Sequence, residues 1–86
     1  MQNLRIPNEN GKAYFSWSDD DGTEKYAHEG DLVEVVMSGT GGPQHFNGRI
    51  SEIFRDDGGG FVLKTEKFPG TVVMSVEGVL NMTVSG

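Results

Sequence analysis

With two histidines and no cysteine, little covalent chemistry is open to this chain. A serine nucleophile needs a histidine and a carboxylate beside it, and no serine here stands in a nucleophile-elbow context. His28 and His45 lack the His-x-x-x-His or His-x-His spacing of a zinc site, and no thiolate can complete one. Asp19-Asp20-Asp21-Gly22 resembles a calcium loop only superficially. With Gly22 at the sixth loop position, Trp17 stands first and His28 twelfth, where oxygen ligands are required. The run reads instead as a hairpin tip of solvated acids. Ser38-Gly39-Thr40-Gly41-Gly42 precedes a proline and a strand, with neither lysine nor helix N-terminus to cradle phosphate, so it is a turn loop. The expectation is a protein with no catalytic residue, metal or cofactor.

Non-covalent recognition remains. Arg49, Arg55, Lys64 and Lys67 could contact phosphate, while Phe54, His45 or Phe61 could stack on a base. Each has a plainer reading. The basic residues suit a solvated strand face, and Phe46 and Phe61 lie on apolar faces, where burial is usual. The overall charge is unfavourable to nucleic acid. Thirteen acidic against seven basic side chains give a net charge of −6, which argues against a whole-surface basic footprint. Placement changes that balance. Residues 1–34 hold eight acids and three bases, whereas residues 35–86 hold five acids and four bases. The later part is nearly neutral and can present a local cationic face.

Short strands must position these side chains. Val, Ile and Thr number 17 while Ala and Leu number 6, a composition that suits pleated surfaces over helices. Thirteen glycines and three prolines interrupt the chain too often for a long helix. Residues 31–38 alternate, with Val33, Val35 and Met37 on one face. Residues 45–55 alternate through Phe46, Gly48 and Ile50, then shift phase to Ile53 and Phe54, which predicts a bend or bulge. Gly48 fits such a bend, because a Cβ there would crowd a barrel corner. Residues 61–66 follow a glycine-rich turn. Phe68-Pro69-Gly70 is a turn signal before strands at 71–76 and 79–84.

Five strands this short avoid open edges by curling. The expected fold is all-β, a strongly bent five-stranded antiparallel barrel over residues 31–86, of Sm-like or SH3-like kind, with an OB barrel as a further option. Residues 1–30 are expected to form a flexible tail to residue 10 and a short acidic element, either a hairpin across Asp19–Gly22 or one helical turn around residues 24–28. No apolar run reaches the ~20 residues of a membrane span, and residues 1–12 show no signal-peptide core, so a cytoplasmic protein is expected.

The pattern resembles the Sm-like (LSm) RNA-binding family, in a divergent form of phage type. Val33, Val35 and Met37 followed by Phe46-Asn47-Gly48-Arg49-Ile50 resemble its first motif. Two apolar strands hinged at Val76-Glu77-Gly78 resemble its second. The resemblance implies a ring that binds single-stranded RNA near its pore, through a loop after the second strand and another between the fourth and fifth. Here those loops hold Gly58 and Gly59, and Gly78. The chain departs from the family at both. Glycine stands where a base-contacting Asn is expected, and Glu77 reverses the charge of the family's Arg.

Self-association is the remaining expectation. The strands at 71–76 and 79–84 carry Val73, Met74, Val79, Leu80, Met82 and Val84 without the Lys or Pro that blunts an exposed edge. Pairing one subunit's fourth strand with its neighbour's fifth would bury them and close a ring of roughly five to seven subunits. The alternative is a monomer whose edge is covered by residues 13–17. For function, a non-catalytic ring that binds RNA or single-stranded DNA in nucleic-acid processing stands against a structural or protein-interaction module that docks through the acidic N-terminal third.

Overall fold

A computed structural model of the chain describes residues 1–65 and 70–85. The chain is all-β, with ten strands among the described residues: β1 (Gln2–Arg5), β2 (Asn8–Glu9), β3 (Lys12–Ala13), β4 (Phe15–Ser18), β5 (Glu24–Ala27), β6 (Leu32–Met37), β7 (Gln44–Phe54), β8 (Gly60–Lys64), β9 (Thr71–Ser75) and β10 (Val79–Val84). Two single turns of 3-10 helix, Asp56–Gly58 and Val76–Gly78, precede β8 and β10. No helix among the described residues is long and apolar enough to cross a membrane.

The expected five strands form one antiparallel sheet in the order β10-β6-β7-β8-β9. Its curvature follows from one connection. β9 and β10 lie at opposite edges, yet only residues 76–78 join them. Four gaps between strands at ~4.8 Å would separate the edges of a flat sheet by about 19 Å. Ser75 to Val79 spans at most about 14 Å even when fully extended. The sheet must therefore curl, and the turn is bonded on both sides as the curl requires. Val76 N–H donates to the Gly59 carbonyl at 3.2 Å, and Ser38 N–H donates to the Gly78 carbonyl at 2.8 Å. Among the described residues the two edge strands do not hydrogen-bond to each other.

The bend sits where the sequence changes phase. Ile50 pairs with Leu63 and Glu52 with Val62, so Ser51 is the extra residue of a bulge. Ile50 and Ile53 both point into the core as a result. Upstream, a Cβ on Gly48 would collide with the carbonyl of Lys64, so only glycine lets β7 and β8 approach this closely. Beyond Leu32 the partner strand ends, and residues 29–31 take over its hydrogen bonding. Ile50 N–H donates to the Asp31 carbonyl at 3.0 Å, and Gly30 N–H donates to the Ile50 carbonyl at 2.7 Å. The Glu29 carboxylate accepts from Ile53 N–H at 3.0 Å.

The first thirty residues depart from expectation. Rather than a flexible tail, Gln2–Arg5 pairs with β4, and Asn8–Glu9 pairs with Lys12–Ala13. Asn10 (φ 53) and Gly11 (φ 81) take the two positive-φ positions that a tight hairpin turn demands. The hairpin option across Asp19–Gly22 holds, with Gly22 N–H donating to the Asp19 carbonyl at 2.9 Å. Residues 24–27 are strand, so the helical-turn option fails.

This three-stranded sheet, β1-β4-β5, supplies three of the eleven core residues. Phe15, Trp17 and Ala27 join Val33, Val35, Ile50, Ile53, Phe61, Leu63, Met74 and Met82 in a single cluster. Phe15 meets Phe61 edge-on, with ring centroids 5.1 Å apart. The buried Trp17 indole N–H has no hydrogen-bond partner. An orphaned donor costs ~1–3 kcal/mol, whereas burying ~200 Å² of ring contributes about 5 kcal/mol. Packing wins.

Gly48→Ala is expected to lower unfolding free energy by roughly 1–3 kcal/mol, the usual range for overpacking. Gly41→Ala, where a Cβ meets nothing within 4 Å and φ is not positive, is expected to stay within about 0.5 kcal/mol of wild type. Urea titrations of the pair check both.

Candidate nucleic-acid interface

Pleating sorts the basic residues into two places. Arg49 on β7 and Lys64 on β8 are directly paired across the strands, and both are exposed. They belong to a row across the outer face that runs Leu32, Arg49, Lys64, Thr71. Arg49 donates from Nη1 to the Gly30 carbonyl at 2.9 Å, which holds its guanidinium against the sheet. Neither residue forms an ion pair with a described carboxylate. Two adjacent cations with no described carboxylate paired to them make a local anion-attracting spot on an acidic protein. Lys67 and the Phe68-Pro69 turn signal lie outside the described residues.

The remaining expected residues separate. His45 is exposed on β7, with Nδ1 3.8 Å from a Glu34 carboxylate oxygen. Phe54 is half-buried and lies over Gly60, where a Cβ would come within 2.8 Å of its ring. It is therefore a packing residue and not a free stacking surface. Phe61 is fully buried.

The two loops of the Sm-like resemblance do come together. A Cβ on Gly58 would lie 3.6 Å from Glu77 Oε1, so the turn at Val76–Gly78 faces the turn at Asp56–Gly58. What they present differs from a base pocket. Gly59 is buried, with Ile6 packed so closely over it that a Cβ would collide with Ile6 Cδ1. Gly78 is half-buried against Met37. The two turns thus present a carboxylate and an apolar cover where the resemblance implies an open pocket.

The expected interface residues divide in the same way. Met74 and Met82 point inward and are only 4% and 3% exposed. They belong to the chain's own core. Val73 is 71% exposed and Leu80 50%, one on each edge strand, while Val84 is exposed at the end of β10 and Val79 half-buried at its start. Residues 13–17 do not cover either edge. β4 pairs with β1 and β5 instead.

A second cluster is one the sequence did not reveal. Arg5, Ile6, Pro7, Tyr14, Ser16, Glu24, Tyr26 and Arg55 line an open groove of about 550 Å³ between the N-terminal sheet and the end of β7. Tyr14 stacks on His28 with centroids 5.1 Å apart and planes at 18°, and Tyr26 lies 6.3 Å from Tyr14. The Tyr26 hydroxyl donates to Glu24 Oε2 at 2.8 Å. Arg5 Nη2 donates to Glu24 Oε1 and to Ser16 Oγ, both at 3.4 Å. Arg55 forms no ion pair with a described residue. The only sequence signal was Asn10-Gly11, whose hairpin turn brings Arg5 back beside Tyr14. Among the described residues no three His, Asp or Glu side chains gather as a metal site.

No protein-family model, no curated protein and no solved structure matches the chain.

The Glu24 carboxylate raises the pKa of the Tyr26 phenol, through their hydrogen bond first and its charge second. Glu24→Gln is accordingly expected to lower the Tyr26 titration toward the ordinary tyrosine value near 10, read by absorbance at 295 nm with Tyr26→Phe identifying the step.

Proposed function

We propose that the chain is a non-catalytic, ring-forming protein that binds single-stranded RNA or DNA, built as a strongly bent Sm-like barrel and acting in nucleic-acid processing. The observation that carries the assembly is the position of its edges. Curling leaves β9 and β10 as the two edge strands of one sheet, and each offers an exposed apolar side chain, Val73 and Leu80. An apolar strand edge is a template for another chain. A contact between two different edges is heterologous, so its repetition closes a ring or runs into a filament, and solubility favours closure. The Sm-like reading draws further support from the strand order, the bulge at Ser51, Gly48 and the 3-10 turn between β9 and β10.

Nucleic-acid binding is supported by the Arg49–Lys64 pair, which ring symmetry would multiply into a circle of cationic spots. The acidic N-terminal third supports the interaction-module alternative less well. Asp19 lies 3.8 Å from Lys25 Nζ and Glu24 3.4 Å from Arg5 Nη2, so part of its charge is already compensated.

Native mass spectrometry is expected to show a closed oligomer at micromolar concentration; a monomer refutes the ring. Leu80→Lys and Val73→Lys are expected to break the ring while leaving the fold intact by circular dichroism, because neither side chain is in the core. For binding, labelled oligo-U, oligo-A and single-stranded DNA are expected to raise fluorescence anisotropy at low salt. Affinity should fall as salt rises, and fall further in Arg49→Glu and Lys64→Glu. Failure to bind any of the three at low salt leaves the interaction module as the better reading.

A further inference from the structure

The groove beside Arg55 contains the parts of a nucleotide site. Base–aromatic stacking needs an exposed ring held in a fixed plane, and phosphate binding needs a cation that no local acid has already neutralised. Tyr26 is 47% exposed, and its hydroxyl is fixed by Glu24 at 2.8 Å. Tyr14 extends the aromatic surface and is itself backed by the His28 ring. Glu24 would repel phosphate if it were free. It is instead shared between the Tyr26 hydroxyl and the Arg5 guanidinium, which offsets part of its charge and fixes the wall. Arg55, which forms no ion pair with a described residue, also lines the groove.

Size and openness agree with one nucleotide of a longer strand. About 550 Å³ falls within the ~300–1,000 Å³ typical of small-molecule sites. The groove is open to solvent. It adjoins one of the turns that the Sm-like resemblance would nominate, since Arg55 directly precedes the Asp56–Gly58 turn and Ile6 packs over Gly59. Ile6 itself, with Pro7, forms a wall of the groove. The chain segment that covers Gly59 thus also builds the groove.

We infer that this groove seats one nucleotide of single-stranded RNA or DNA, with the base on Tyr26 and Tyr14 and the phosphate at Arg55. The inference rests on the nucleic-acid-binding reading, and it adds a site on the N-terminal sheet to the cationic spot on the outer face. Ribose and deoxyribose strands share the chemistry it uses, so oligo-U RNA and oligo-dT DNA are separate arms of the test.

Anisotropy titrations of the full chain are carried out from low to physiological salt. Tyr26→Ala is expected to weaken binding roughly tenfold, within the range for loss of one stacked base, while Tyr26→Phe, which keeps the ring but loses the Glu24 hydrogen bond that fixes it, is expected to fall between Tyr26→Ala and wild type. Arg55→Gln is expected to lower the slope of log K against log salt by about 0.7, one phosphate contact on a single strand. Lys12→Gln removes an equal charge from the exposed β2–β3 hairpin outside the groove and should leave that slope unchanged. If an oligomer binds but Tyr26→Ala has no effect, or if Arg55→Gln and Lys12→Gln shift the slope equally, the groove is not the site although the nucleic-acid reading survives. If no oligomer binds wild type in either arm, both fall together. Tyr26 and Arg55 are exposed, so unchanged circular dichroism is expected of every variant.

Discussion

Gly48 has no side chain, and the carbonyl of Lys64 occupies the space that one would need. Because β7 can approach β8 so closely there, the sheet turns sharply just before the Ser51 bulge adds its own twist. The rest of the curvature depends on this contact. It brings the edge strands near enough for residues 76–78 to bridge them, and it aims Ile50, Ile53, Phe61 and Leu63 at a common centre. The same bend ends the pairing between β6 and β7 early, which exposes backbone groups on the far half of β7. Residues 29–31 and the Glu29 carboxylate satisfy several of them. Thus the junction between the N-terminal third and the main sheet is made of hydrogen bonds that the bend itself calls for.

That junction explains why the N-terminal third is integral to the core. Small domains bury only ~60–65% of their unfolded surface, and this one has no disulfide to compensate. Phe15, Trp17 and Ala27 close the side of the curled sheet that would otherwise be open. A domain of residues 31–86 alone would expose Phe61 where Phe15 now packs.

Strand existence and phase were legible because period-2 alternation is a property of consecutive residues. Val33 and Val35 on β6 read correctly, as did the phase change at Ile53 and the requirement for glycine at position 48. Three things were hidden. Gln2–Arg5 has no alternating apolar pattern, with only Leu4 half-buried and Asn3 at positive φ, so nothing local marks it as a strand. Its pairing comes from β4. Val72-Val73-Met74 is a continuous apolar run, from which inner and outer residues cannot be told apart without the sheet. Hence Met74 was grouped with Val73 although their side chains face opposite ways. The groove could not be read because Arg5, Tyr14, Tyr26 and Arg55 meet only through the folding back of β1.

Pairing order carries a kinetic consequence. β6, β7, β8 and β9 can assemble by successive hairpins, each between neighbours in sequence. β10 is different: Val84 must find Val33 across nearly the whole length of the main sheet. A contact so distant must close a long loop before any hydrogen bond rewards it. During synthesis, therefore, β6 is an open edge until the last strand is made. Glu34, at the middle of that edge opposite Thr83, places a charge where an unpaired strand is most exposed to the wrong partner. The carboxylate that lies beside His45 in the finished sheet thus guards the nascent one.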